Sequence, residues 1–227
     1  MISPGPIASL ALDRLRVDPG NETILRARNL EAILLQKDFS QGNFSALAEA
    51  RLLASTTLLK ETYVPGPAID NWKAANQFLV EALSSGLVVD TTFIREVHRS
   101  LHPESRGELR TTFVQSGNTY YPEADSLPFL WKRFEEKLAA PSDSALLQAS
   151  VLYQWIVTMH FFSDANGRLA RLIADAVLLS AGLPPLSYEN DVAGFVSALA
   201  EPDFFTVDDA IARVCEGVTH SMKILQG

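Results

Sequence analysis

Long hydrophobic runs are missing from this chain of 227 residues. The best candidate, 172–183, contains Asp175 and meets Gly182 and Pro184, well short of the ~20 apolar residues a membrane-spanning helix needs. No membrane role is expected. Cysteine is almost absent: Cys215 stands alone, which excludes an internal disulfide framework and fits a reducing compartment. Its neighbours suggest a late helix, where a buried thiol is structural and not reactive. Positive charge is in deficit, 19 Lys and Arg against 27 Asp and Glu, and the basic residues are scattered among acids. Nucleic acid is therefore not an expected partner. A Gly-x4-Gly-Lys-Ser/Thr run is missing, which excludes a P-loop kinase. The opening Met1-Ile2-Ser3-Pro4-Gly5-Pro6 places no Lys or Arg before the short apolar stretch 7–12, so no secretory signal is expected. A cytoplasmic location is the default, with secretion as an effector, by a route without a cleaved signal, left open.

What is present is an ordinary core-forming composition, 47% hydrophobic and 20% charged. Apolar residues recur at helical spacing over 22–37, 44–63 and 69–83, then from Asp90 toward Pro103. Further helices are expected over 127–138, 144–159, 166–180 and 207–223. Between 107 and 128 the texture changes to Gly, Asn and Pro mixed with Thr, Phe, Val and Tyr, which suits a long loop or a small hairpin turning at Ser116-Gly117-Asn118. The expected fold class is all-α, a helical bundle with a small β-hairpin flap.

Chemistry concentrates in His160-Phe161-Phe162-Ser163-Asp164-Ala165-Asn166-Gly167-Arg168-Leu169-Ala170-Arg171. Two strongly apolar helices flank this stretch and clamp a short loop. The start of the second helix offers unpaired N–H groups and partial positive charge to an anion. Ala165 and Gly167 let that anion approach the backbone. Arg168 and Arg171, three apart, share a face close to that end, where they oppose the helix dipole unless an anion sits between. Asp164 supplies a hard oxygen for Mg2+. His160 can accept a proton at neutral pH. Taken singly, His160 reads as a structural histidine, Asp164 and Asn166 as helix caps, and the arginines as a solvated face. Together they fit phosphoryl or nucleotidyl transfer.

This stretch resembles the signature of the Fic family: His, a free position, Phe, a free position, Asp or Glu, Ala or Gly, Asn, Gly or Lys, Arg, two free positions, Arg. Every fixed position is met, and Phe161 stands where most members carry Pro. Residues 92–99 look like the helix before the family's flap, and Gly107-Glu108-Leu109-Arg110-Thr111-Thr112 like the approach to it; the likeness covers roughly 70 to 190. The resemblance implies a Fic-type helical bundle that transfers AMP from ATP to a Ser, Thr or Tyr hydroxyl of a target protein. It implies His160 as the base and Asp164 as the Mg2+ ligand. Asn166 and Gly167 would join the anion hole, and Arg168 and Arg171 would hold the phosphates. The unidentified target would dock at the flap, 112–121, by strand addition. A second copy of the chain is a further candidate partner. The rival readings are a phosphotransferase or a transferase of another nucleotide on the same scaffold, and a catalytically quiet interaction module. Gly167, where the phosphotransferring Doc relatives tend to carry Lys, favours AMP.

Many Fic enzymes carry an inhibitory helix with Ser or Thr, three free positions, Glu, then Gly or Asn. Ser45-Ala46-Leu47-Ala48-Glu49-Ala50 resembles it apart from Ala50, and 57–62 fits the looser spacing. The resemblance implies a regulatory role for Ser45 and Glu49, with a Glu49–Arg171 ion pair displacing a phosphate. The expected division is 1–65, an N-terminal helical segment with this candidate inhibitory helix; 66–190, the Fic core; and 191–227, a C-terminal helical extension.

Overall fold

The computed structural model describes residues 5–39, 42, 45–51, 67–86, 88–116, 119–188 and 206–227. Within these, α1 is Pro6–Leu15, α2 Asn21–Leu34, α3 the helical residues 45–51, α4 Pro67–Ser84, α5 Thr91–Leu101, α6 Leu127–Ala139, α7 Ala145–Met159, α8 Asn166–Ser180 and α9 Val207–Gln226. Short 3-10 turns at Pro103–Ser105 and Ala124–Ser126 lie on either side of the stretch 106–123. The strands β1, Gln115–Ser116, and β2, Thr119–Tyr120, pair antiparallel with Gln115 opposite Tyr120. The turn 117–118 lies outside the described residues, and on either side of it the expected hairpin is a two-residue ladder.

The bundle is organised around α7. Leu146, Ala149, Leu152, Tyr153, Trp155, Ile156, Val157 and Met159 are all buried, so this helix is apolar on nearly every side. Such a helix must be enclosed, and α1, α2, α6, α8 and α9 surround it. α8 lies between α7 and the α4–α5 pair. Ala8, Ala27, Leu79, Ile94, Leu172 and Val214 belong to one hydrophobic core, so the N-terminal and C-terminal helices pack into the same unit as the centre.

Caps fix where the helices begin. Asp90 accepts from the Phe93 amide at 2.8 Å, opening α5. Ser144 accepts from the Leu147 amide at 3.2 Å, opening α7. Glu31 of α2 also receives the Ala145 amide at 2.9 Å, placing a carboxylate at the positive end of α7. Thr206 and Asp209 form a capping box on α9. α1 went unpredicted because its cap is not local. The Glu123 carboxylate receives the Ile7 and Ala8 amides at 3.0 and 3.1 Å, across more than a hundred residues of sequence.

A buried ion pair secures α3. The Arg51 guanidinium contacts the Asp175 carboxylate of α8, donates through Nε to the Leu186 carbonyl at 3.1 Å, and lies 5.9 Å from the Trp72 ring centroid of α4. Asp175 also receives the Leu186 amide at 2.6 Å. Burial pushes the Asp175 carboxyl up, and Arg51, the Leu186 amide and Arg171 oppose that. Removing one partner of a buried pair strands the other charge. Asp175→Ala is therefore expected to lower unfolding free energy by about 3 kcal/mol in urea titration. A cost near that of an exposed substitution would show that the pair is dispensable.

Candidate active site between two core helices

α7 ends by turning left-handed. His160 caps it at φ 49, ψ 57, and Ala165, at φ 64, precedes α8 in the same region. Non-glycine residues occupy that region at a cost of roughly 1–2 kcal/mol each. The six-residue link 160–165 thus begins and ends in conformations that its surroundings must impose.

Those surroundings are visible. Phe161 and Phe162 are fully buried. Phe161 meets Trp131 edge to face at 4.9 Å, and Phe162 stacks on His98 at 3.8 Å. The Asn166 amide closes the loop from inside. It accepts from the Phe162 amide at 3.0 Å and donates to the Phe162 carbonyl at 2.8 Å. Its side chain is thus spent on loop closure, and only its backbone remains for the anion site expected of it.

The far end of the loop is held by α5. His98, fully buried, reaches the Asp164 carbonyl through Nε2 at 3.0 Å and Ser105 Oγ through Nδ1 at 3.0 Å. A carbonyl can only accept, so Nε2 carries the proton, and the one Ser105 hydroxyl proton is shared between Nδ1 and the His102 carbonyl, 2.9 Å away. Burial is the main cause that brings the His98 pKa down to about 4, which agrees with this neutral tautomer. Ser105 in turn accepts from the Gly107 amide at 3.3 Å. Gly107 needs to be glycine: its φ is +73, and a Cβ there would sit 2.7 Å from the Arg95 carbonyl oxygen.

The near end is gripped by Arg110. Its Nε donates to the His160 carbonyl at 2.7 Å, and its amide to the Phe161 carbonyl at 3.0 Å. The His160 ring stacks on Tyr121 at 3.8 Å. Burial and then the Arg110 charge lower the His160 pKa to about 4, against the pull of the Val157 carbonyl and Asp164. Its Nδ1 is buried with no hydrogen bond of good geometry. At neutral pH the imidazole is therefore uncharged and able to take a proton.

Asp164 and Arg168 come together. The Asp164 carboxylate accepts from the Ala165 amide at 2.5 Å and lies 3.4 Å from Arg168 Nη2, yet its side chain stays 39% exposed. Ala165 brings no capping side chain to α8, so the first turn of that helix lacks a side-chain cap. A Cβ added at Gly167 would meet no atom within 4 Å, so space stands open there. Arg171 is half-buried one turn further on, within electrostatic reach of Tyr153, Tyr188 and Asp175. The two arginines therefore differ: Arg168 is buried against the loop, and Arg171 is half-buried on the side of Tyr153 and Tyr188. Among the described residues, no group of three or more His, Cys, Asp or Glu could hold a metal ion. A half-exposed single carboxylate still fits Mg2+, which takes much of its coordination from water and substrate phosphates.

Glu49 is not brought to Arg171. It is exposed, as is Ser45, and no ion pair joins Glu49 to Arg171 among the described residues. Helical geometry gives the reason. Leu47 and Arg51, four apart, face the core, and Glu49, two positions from each, points away. The second match, 57–62, lies outside the described residues. Sequence reasoning also gave no role to His98, Arg110 or Tyr121. His98 stands on the apolar stripe of Phe93, Ile94, Val97 and Leu101, while Arg110 and Tyr121 fall in the stretch that resembles the flap and its approach without a role of their own.

The helical bundle is similar in fold to solved Fic proteins. The Fic/DOC family model matches residues 88–178. The chain is 28% identical over 197 residues to "Protein adenylyltransferase Fic" of Drosophila grimshawi, a match covering 74% of this chain and 40% of that protein. The namesake in Drosophila sechellia is 29% identical, over 74% and 39%. The chain thus spans about 40% of the length of these curated relatives. Among solved structures, IbpAFic2 covalently tethered to Cdc42 superposes with TM-score 0.66 at 18% identity, covering 94% of this chain and 75% of that one. Fic-1 from C. elegans gives 0.58 at 18% identity, over 95% and 69%.

Two outcomes follow from this geometry. Both buried imidazoles have folded pKa values near 4, below the 6.5 of an exposed histidine, so the folded chain binds fewer protons than the unfolded one. The stability they contribute is complete above about pH 6.5 and is lost as pH falls toward 4. His98→Gln removes one titration, so its loss of urea stability between pH 7 and 4.5 should be about 2 kcal/mol smaller than that of the parent; equal losses would sink this account. Glu49→Ala should leave the affinity for Mg-ATP unchanged in calorimetry, because Glu49 stands off the site, and a marked tightening would restore it as a brake.

Proposed function

We propose that this chain transfers AMP from ATP to a hydroxyl group of a protein. The observation that carries this reading is a neutral His160 imidazole at one end of a loop whose other end opens onto the start of α8. A hydroxyl of Ser, Thr or Tyr on the target gives its proton to His160 as its oxygen bonds to the α-phosphorus. The bond from that phosphorus to the bridging oxygen breaks, and pyrophosphate leaves with the electron pair. The polyphosphate itself brings negative charge beside His160, which offsets Arg110 and raises the imidazole pKa toward the range where a base works best.

The other roles divide along α8. Backbone N–H groups of Asn166 and Gly167 face an anion at the helix start, and Arg168 and Arg171 balance the phosphate charge. Mg2+ held by Asp164 and the phosphates would neutralise charge on the leaving group. A target segment would add to the short ladder of β1 and β2 within 112–121, its hydroxyl beside His160. The names of the Drosophila relatives support this reading, as does a solved complex of IbpAFic2 with adenylylated Cdc42. On this reading 66–190 is the catalytic core, with 1–65 as an N-terminal segment and 191–227 as a C-terminal extension. No helix among the described residues is long and apolar enough to cross a membrane.

Intact-mass spectrometry after incubation with ATP and Mg2+ tests the proposal. The expected result is a gain of one adenylyl group on the chain or on added protein. It should be lost in His160→Ala, since removing a general base costs roughly 100-fold or more. Label retained from the γ-position of ATP instead of the α-position would make the chain a phosphotransferase. Failure to bind ATP at all would make it an interaction module.

A further inference from the structure

We infer that Arg110 is a positioning residue for the transfer: one buried guanidinium ties the residue bearing the base to both legs of the flap. The inference rests on the proposed use of His160. The Arg110 side chain is nearly inaccessible, and each of its three nitrogens is engaged. Nε donates to the His160 carbonyl at 2.7 Å, Nη1 to the Thr112 carbonyl at 2.8 Å and Nη2 to the Pro122 carbonyl at 2.5 Å. Thr112 precedes β1, and Pro122 follows β2. Between Pro122 and the strand stands Tyr121, whose ring stacks on His160. The acceptor-docking ladder and the base therefore move as one piece.

The chemistry of the side chain explains why arginine is used. A buried cation is costly unless its donors are satisfied. Here the acceptors are three neutral carbonyls and no carboxylate; Glu123 acts on Arg110 at a distance while its own oxygens receive the amides of α1. Only a planar fork with fixed donor directions reaches three carbonyls from three parts of the chain. Lysine offers a compact ammonium on a flexible stem and cannot hold that span. None of the Arg110 contacts above touches 166–171, where nucleotide phosphates are expected. Loss of Arg110 should therefore act on the transfer step and spare nucleotide affinity.

The test uses the full chain with Arg110→Lys, and Arg110→Gln as a second variant should the first fail to fold. The His160 imidazole Cε1–H resonance is assigned by its disappearance in His160→Ala and followed in carbon–proton spectra. Affinity for α,β-methylene-ATP with Mg2+ is measured by calorimetry, and pyrophosphate release from ATP gives the rate. The His160 resonance should shift or double while those of His98, His102 and His220 stay in place. Pyrophosphate release should fall about 100-fold, the cost of misplacing a reacting group by about 1 Å, with analogue affinity unchanged. An unmoved His160 resonance, or a rate that falls only with the fraction of folded protein, would overturn the assignment, as would an equal loss of analogue affinity. A parent chain that releases no pyrophosphate would sink the transfer reading, while the His160 resonance would still decide the role of Arg110.

Discussion

Between α7 and α8 the chain reverses through two left-handed residues that are not glycine, and this constraint shapes the rest of the molecule. A glycine at either position would relax the turn at no steric cost. Instead the side chains at 160 and 165 are a histidine and an alanine, and the conformation is imposed by outside contacts. Asn166 closes the turn upon Phe162, His98 holds its far carbonyl, and Arg110 holds its near one. Each such bond contributes only about 1 kcal/mol net. Acting on six consecutive residues with two buried phenylalanines beneath them, they leave the loop a single arrangement. An imidazole and the start of α8 at fixed separation are the result.

The same economy governs the charges. His98 and His160 are kept neutral by burial, and so serve as donors and acceptors of definite sense. The buried cations Arg51 and Arg110 are handled in opposite ways. Arg51 meets a carboxylate and fastens α3 to α8. Arg110 meets carbonyls alone and fastens a loop to a flap. A carboxylate partner for Arg110 would bring a negative charge next to His160 and raise the imidazole pKa toward protonation. Carbonyl partners hold the cation without that effect.

How much of this was legible follows from where each signal resides. Helix α8 was readable to its last residue because its start, Asn166-Gly167, and its stop, Gly182, are local. α7 was readable because Ser144 caps it within the same turn. α1 was invisible because its capping carboxylate, Glu123, is distant in sequence. The loop's composition could be read from the motif, but the division of labour within it could not. Asn166 offers an amide that suits an anion equally well, and only the positions of the Phe162 amide and carbonyl show that it is consumed internally. Arg110 could be read only as part of the stretch that resembles the approach to the flap, since its own role lies in three carbonyls supplied by residues 112, 122 and 160.

Glu49 shows the limit of spacing as evidence. A serine and a glutamate four apart on a helix specify a shared face, yet they do not say which way that face points. The flanking residues decide it. Leu47 is buried and Arg51 reaches Asp175, so the face they share turns inward and Ser45 and Glu49 turn toward solvent. The helix is therefore held to α8 by Arg51, four residues beyond Leu47, through the carboxylate that stands one turn after Arg171. Regulation by this helix has a physical route in that buried ion pair, which joins residues 45–51 to α8.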